Sequence, residues 1–210
     1  MDDVFDQPTA VINMDAAGEI MFGAFVKYSA DGTVAKAVDE ANSRDYIGVA
    51  GNDAVERDPK GFWSQYDPVP IAVGGVVNIW IQGGGTDLTA GNFVEIANDY
   101  GWCQVESGGA GVMDTSTTVA KCLENQEISD YTATGVSGTA GSATLTVSSS
   151  SNMAVGDYLY IYSDEASTGE VQVIKTVDST TQVTLERGLS NTHTTNGVAC
   201  VGVQIRALLL

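Results

Sequence analysis

The sequence predicts an all-β chain of two modules, each a small β-barrel or sandwich of short strands. Three observations predict it. Apolar residues come in bursts of four to seven, rich in Val, Ile and Tyr and separated by Gly, Asp, Asn and Ser, which is the rhythm of short strands and turns. The most helix-like window, Thr33 to Asn42, carries Val34 and Val38 beside its alanines and reads equally as strand and turn. Composition also changes near residue 130: residues 131–210 hold 23 Ser and Thr, whereas residues 1–130 hold 13.

Taken in order, Met1 to Asp6 is acidic, Pro8 interrupts pairing, and Thr9-Ala-Val-Ile-Asn13 is one short extended piece. Residues 1–20 therefore read as an N-terminal arm that either frays or adds a strand to a neighbouring surface. Strands follow at Ala24–Tyr28, Tyr46–Ala50, Val69–Val73, Val76–Ile81, Phe93–Ala97 and Trp102–Val105. The apolar face of Val76, Ile79 and Ile81 is one that symmetric copies would bury, which suggests a homotrimer. Ser129 to Ser142, with three glycines among Thr, Ser and Ala, has the make-up of a connecting loop.

Beyond it lies a second strand set: Ala143–Val147, Tyr158–Tyr162, Glu170–Ile174 and Gln182–Leu185. Alternate residues of each are apolar, so one face packs inward and the other meets water. Tyr158, Tyr160 and Tyr162 share a face opposite Leu159 and Ile161, a surface suited to a ligand such as a glycan, to a subunit contact or to half-buried packing. Charge divides with composition: the first 130 residues carry 21 acids and six bases, the last 80 carry six acids and three bases.

A formal charge of -18 repels nucleic acid and anionic lipid, and neither partner is expected. No run reaches the length of a bilayer span, and the first residues lack the basic and apolar regions of a signal peptide. Cys103, Cys122 and Cys200 stand in no metal-ligand spacing and read as small buried hydrophobes; no metal or cofactor is expected. The single histidine, His193, in Asn191-Thr-His-Thr-Thr-Asn196, reads as a turn residue. With one histidine most acid–base and nucleophile pairings lose their usual base, so the expectation is no enzyme and no catalytic residue.

The remaining features have ordinary readings. Asp39-Glu40 and Asp164-Glu165 lack the pattern of a calcium loop and read as solvated charge. Gly83-Gly-Gly85 and Gly108-Gly-Ala-Gly111 are followed by no Lys-Ser or Lys-Thr and read as hairpin turns rather than phosphate loops. A glycosidase would need paired carboxylates in an aromatic cleft, and none clusters around Trp63, Trp80 or Trp102.

One resemblance orders these pieces. Gly23-Ala-Phe-Val26, Tyr46-Ile-Gly-Val-Ala50, Pro70 to Trp80, Leu88-Thr-Ala-Gly-Asn-Phe-Val94 and Val119-Ala-Lys-Cys-Leu-Glu124 together resemble the capsid decoration, or cement, proteins of tailed viruses, with Lys121-Cys122 departing from the family's smaller residues. The family's closing apolar strand is matched by Val203 to Leu210, far later than usual, as if a module had been inserted before it. Residues 1–128 with 200–210 would form the capsid-binding β-barrel (β-tulip-like) domain, and 129–199 an outward-facing module. Met153 to Leu159, Val171 to Val177, Thr181 to Leu185 and Leu189 to His193 are similar to small β-modules of viral head and tail surface proteins.

The resemblance implies a virion structural protein that binds the outside of the major capsid shell at local symmetry axes and stabilises it, as a homotrimer. Its partners would be the major capsid protein and itself, with Thr9, Ala10, Val11 and Ile12 as capsid-binding residues. The alternative is a turret, fibre or tail surface protein that binds a host receptor or glycan through Tyr158, Tyr160 and Tyr162.

Overall fold

Short β-branched runs, each ended by glycine or a polar turn, fold as the strands their composition favours. A computed structural model of the chain describes residues 10–30, 32–36, 45–51, 62–106, 113–114, 116–163 and 166–210. The described residues contain no α-helix. Two compact units divide the chain: unit 1 is Met1–Ile81, Asp87–Glu127 and Gln204–Leu210, and unit 2 is Gln82–Thr86 and Ile128–Val203. The sequence places module boundaries at 128/129 and 199/200; the units divide at 127/128 and 203/204, and Gln82–Thr86 belongs with unit 2.

Unit 1 begins with Val11–Asp15 (β1), Ile20–Met21 (β2), Phe25–Tyr28 (β3), Val34–Lys36 (β4), Tyr46–Ala50 (β5), Phe62–Trp63 (β6) and Pro68–Ala72 (β7). Five of these form a sheet in the order β1-β7-β5-β3-β4, and β2 pairs with β6. A parallel bridge between Ala16 and Val34, with Ala17 N–H donating to Val34 O at 2.6 Å, brings the chain just after β1 against β4. The sheet thereby curls on itself, and Ala16, Ile20, Val26, Val34, Ala50, Trp63, Val69 and Ile71 fill its interior. Thr9 and most of the Thr33–Asn42 window lie outside the described residues, but Val34–Lys36 within that window is strand.

The second sheet of unit 1 uses Val76–Gln82 (β8), Phe93–Ile96 (β9), Cys103–Val105 (β10) and Thr118–Cys122 (β11). Trp80 and Trp102 stack with centroids 5.5 Å apart, and Trp80 Nε1–H donates to Phe22 O at 2.7 Å. Gly101 meets β3 so closely that a Cβ there would lie 2.5 Å from Phe25 O, and its φ is +70°, so glycine is required on both counts. Ile79 and Ile81 are fully buried within the chain, so they offer no face to symmetric copies, contrary to the sequence expectation.

Unit 2 is built from Thr132–Gly138 (β12), Thr144–Thr146 (β13), Tyr158–Ser163 (β14), Ala166–Ser179 (β15), Gln182–Leu185 (β16) and the first part of His193–Leu209 (β17). Antiparallel pairings run β17-β12-β13-β16-β15-β14 and return from β14 to β17, closing a six-stranded ring. Closure leaves no open edge in the ring. Leu145, Leu159, Ile161, Ile174, Val183, Leu185, Ala199 and Val201 pack inside it.

Three sequence expectations need correction here. Ser129–Ser142 is not a linker, because Ala133 and Val136 are buried and Thr132–Gly138 is a strand, with Gly135 at φ +61° where the register with β17 shifts. Gly83 is not a simple hairpin position. Its N–H donates to Val201 O, and a Cβ would fall 2.3 Å from Tyr131 O, so the glycine is there for close approach of backbones. His193 is the buried first residue of β17 rather than an exposed turn residue.

The last residues of β17 belong to unit 1, where Ala120, Lys121 and Cys122 oppose Leu209, Leu208 and Ala207. Ile205, Ala207 and Leu209 are buried while Gln204, Arg206 and Leu208 face out, the alternation of a half-buried strand. If unit 2 is an insertion, a chain with Ile128–Val203 replaced by a short Gly-Ser link is expected to melt cooperatively as a folded β protein. A chain already unfolded at 25 °C by circular dichroism would contradict the insertion.

Candidate functional site

The sequence points to two places, the β1 region and the tyrosine row, and the structure adds a third. Thr9 lies outside the described residues, while Ala10 is exposed and accepts the Val73 N–H at 2.8 Å. Val11 and Ile12 are 54% and 37% exposed. They do not belong to a free arm: β1 pairs along its whole length with β7, from Val11↔Ala72 to Asp15↔Pro68.

The hydrogen-bond directions follow from two contacts. Val73 N–H reaches Ala10 O, so Val69, Ile71 and Val73 direct their main-chain groups to β1, while Pro70 O accepts from Gly51 and faces the other way. The missing N–H groups of Pro68 and Pro70 are thus kept off the β1 ladder. On β1 the groups of Ile12 and Met14 point to β7, and those of Val11 and Asn13 point to the sheet edge, where no described strand pairs with them.

A groove of about 520 Å³ opens in unit 1, lined by Tyr46, Ile47, Gly48, Val73, Gly74, Met113, Thr118, Leu209 and Leu210, none of them carrying a charged side chain. Tyr46 Oη–H donates to Leu210 O at 2.6 Å across its floor. Val73, Met113 and Leu210 are 37%, 46% and 48% exposed.

The tyrosine row lies on the outer face of the unit 2 ring, opposite fully buried Leu159 and Ile161, as the alternation predicts. Its rings are used in packing. Tyr160 and Tyr162 stack with centroids 5.3 Å apart, and the Tyr160 ring lies where a Cβ on Gly169 would be, 2.3 Å from its oxygen. The Tyr160 and Tyr162 rings thus spend part of their surface on each other and on Gly169.

The third place is inside the ring and was missed by sequence reasoning. Alternation in Glu170-Val-Gln-Val-Ile174 suggests that Val171 and Val173 face inward. The register is the reverse: Ile161 opposes Glu170 and Leu159 opposes Gln172, so both polar residues enter the core. Glu170, Gln172 and His193 are 3%, 2% and 2% exposed. Glu170 Oε1 accepts from His193 Nε2–H at 2.8 Å and from Asn191 N–H at 3.0 Å, and Oε2 accepts from Gln172 Nε2–H at 2.7 Å and Ser190 N–H at 2.9 Å. Four donors fill the carboxylate's acceptor sites, which is what makes its burial tolerable. The only advance signal was a Glu and a lone His flanking an apolar strand set.

Burial alone would raise the Glu170 pKa, but the bonds from His193, Ser190, Gln172 and Asn191 outweigh it and bring it to about 2. The three cysteines are free and buried, and burial pushes Cys122 and Cys200 up to about 12 and Cys103 well above its ordinary value, so all three are unreactive thiols. Asp39-Glu40, Asp164-Glu165 and Gly108–Gly111 lie outside the described residues.

No protein-family model and no curated protein matches this sequence. Among solved structures, the chain is similar to the crystal structure of the head fiber gp8.5 N base of bacteriophage phi29, at 18% identity over 56% of this chain and 86% of that one, with a TM-score of 0.36. A likeness of that size carries no argument about function.

Glu170 contributes to the acid dependence of stability. Its folded pKa lies below the usual carboxylate value, so its contribution is complete above about pH 5 and is lost as pH falls toward 2. The shift corresponds to about 3 kcal/mol. Denaturant titrations at pH 7 and pH 2.5 are expected to show a smaller acid loss for Glu170→Gln than for the parent chain; equal losses would remove Glu170 as the cause.

Proposed function

We propose that the chain is a non-catalytic structural protein of a virus particle, a capsid decoration protein whose unit 1 attaches to the outside of the major capsid shell while unit 2 faces outward. The observation that carries this reading is the distribution of exposed apolar side chains. Among the described residues, Val11, Ile12, Val73, Met113 and Leu210 stand exposed on unit 1 at the β1 edge or in the groove, with Tyr28, Tyr66, Leu123 and Leu208 also exposed on that unit, whereas the exposed large apolar residues of unit 2 are Val155 and Val177. A concentration of exposed apolar surface on one unit marks it as the side that meets a partner.

Further support comes from the sequence resemblance to cement proteins, whose last strand is matched by the segment that returns to unit 1. The open main-chain groups of Val11 and Asn13 suit strand addition by a capsid subunit. The Glu170–His193 pair is sealed from solvent, with side-chain exposures of 4% and 0%, which fits a structural role rather than acid–base work. Assembly as a homotrimer would add avidity, since three modest contacts in one rigid body bind more tightly than any alone. That trimer rests on the resemblance, not on Ile79 and Ile81.

Attachment through apolar contact has a salt signature. A protein at -18 is repelled by acidic patches of a shell, and added salt screens that repulsion without weakening apolar contact. Occupancy on particles stripped of the protein is therefore expected to hold or rise from low to molar NaCl, and Val73→Asp is expected to weaken it at every salt concentration. A steep fall in binding with salt would contradict apolar attachment, and no binding by the parent chain would contradict the decoration role itself.

A further inference from the structure

One non-glycine residue among those described has a positive φ, Tyr66 at +71°, and the same residue is the most exposed of the described large apolar side chains, at 71%. It is the third residue of the turn at 64–67 between β6 and β7, in which Asp67 N–H donates to Ser64 O at 3.1 Å. Gln65 does not share the positive φ, so this is the geometry of a type II turn, whose third position suits Gly or Asn and strains a residue with a bulky side chain. The surroundings hold it there. Ser64 N–H donates to Asp67 Oδ2 at 2.8 Å, Tyr66 N–H to Ala16 O at 2.8 Å, and Ala16 N–H to Asp67 O at 2.9 Å. Strain of this kind persists where neighbouring structure over-determines it, and it collects at sites that bind.

Burial of the ring does not offset the strain, because most of the residue lies in solvent. The hydrogen bonds of the turn use main-chain groups and the Asp67 carboxylate, all of which Asn at position 66 would leave in place. What the fixed backbone does supply is a fixed direction for the side chain. With two torsions left to settle, a tyrosine held this way loses little freedom on contact, a property that suits the anchor of a protein interface. The turn also continues the ladder of β1 and β7, since the Ala16–Asp67 bond follows the Asp15↔Pro68 pair. Tyr66 therefore stands at one end of this ribbon and Val11 at the other, about 20 Å away by the rise of an extended strand.

We propose, resting on the reading of unit 1 as the attaching unit, that Tyr66 is a pre-oriented anchor whose ring inserts into an apolar depression on the major capsid protein. Val11, Ile12 and the open main-chain groups of β1 lie on the same ribbon, so a single protein surface laid along it meets the strand edge and the ring together.

Full-length chains carrying Tyr66→Asn, Tyr66→Phe and, on unit 2, Val155→Asn test this by thermal melting and by binding to particles stripped of the protein. Asn accepts the left-handed backbone and removes the ring, so Tyr66→Asn is expected to melt at or above the parent's temperature while its Kd for the particles rises at least about ten-fold. Tyr66→Phe keeps the ring and is expected to bind within about three-fold of the parent. Val155 is nearly as exposed, at 67%, and Val155→Asn is expected to leave the Kd unchanged. Parent-like binding by Tyr66→Asn would overturn the anchor and leave the decoration reading standing. A lower melting temperature for Tyr66→Asn would also overturn it, by showing that the ring serves the fold. Weakening by Tyr66→Phe equal to that by Tyr66→Asn would overturn insertion of the ring, and equal weakening by Val155→Asn would overturn its assignment to unit 1. No binding by the parent chain would overturn the decoration reading and the anchor with it.

Discussion

Both units are closed by hydrogen bonds to one late segment, His193–Leu209. In unit 2 its first part pairs with β12 on one side and β14 on the other, completing the ring. In unit 1 its last part pairs with β11, Leu123 N–H donates to Arg206 O, and Leu209 N–H donates to Gly75 O. Each of these pairings joins residues far apart in the chain, so their loop-closure cost must be met by burial of Ile205, Ala207 and Leu209 in one unit and Ala199 and Val201 in the other.

Acidic residues serve as internal fasteners in both units of this very acidic chain. Glu106, 3% exposed, accepts from Asp114 N–H at 2.7 Å and from the hydroxyls of Thr117 and Thr118 in unit 1. Glu170 does the same for Ser190, Asn191 and His193 in unit 2. A carboxylate has acceptor sites for about four donors, so one buried glutamate can satisfy loop N–H groups that no strand reaches. Losing one would strand several donors at once, which is costlier than losing a single hydrogen bond.

The sequence made the strands legible wherever burial follows alternation. Tyr46–Ala50 and Gln182–Leu185 appear with the expected ends, and Leu159 and Ile161 point inward as their spacing requires. It misled where long-range partners override local pattern. Glu170 and Gln172 look solvent-facing until β14 fixes their register and four donors gather around the carboxylate. Thr132–Gly138 looks like a linker because its glycines and hydroxyls are read without the closing strand that pairs with them. Of the candidate site, exposure at Val11 and Ile12 is visible in a short apolar run after Pro8, but that the run is already paired to β7 depends on Val69–Val73, which no local pattern reveals.

The central claim, that unit 1 is closed by the returning segment, is tested most directly by removing Gln204–Leu210 and following amide exchange by NMR. Protection across β9 and β11, including the Leu123 amide that donates to Arg206 O, is expected to collapse while Leu159 and Ile161 in unit 2 stay protected. Unchanged protection of β9 and β11 in the shortened chain would contradict the account.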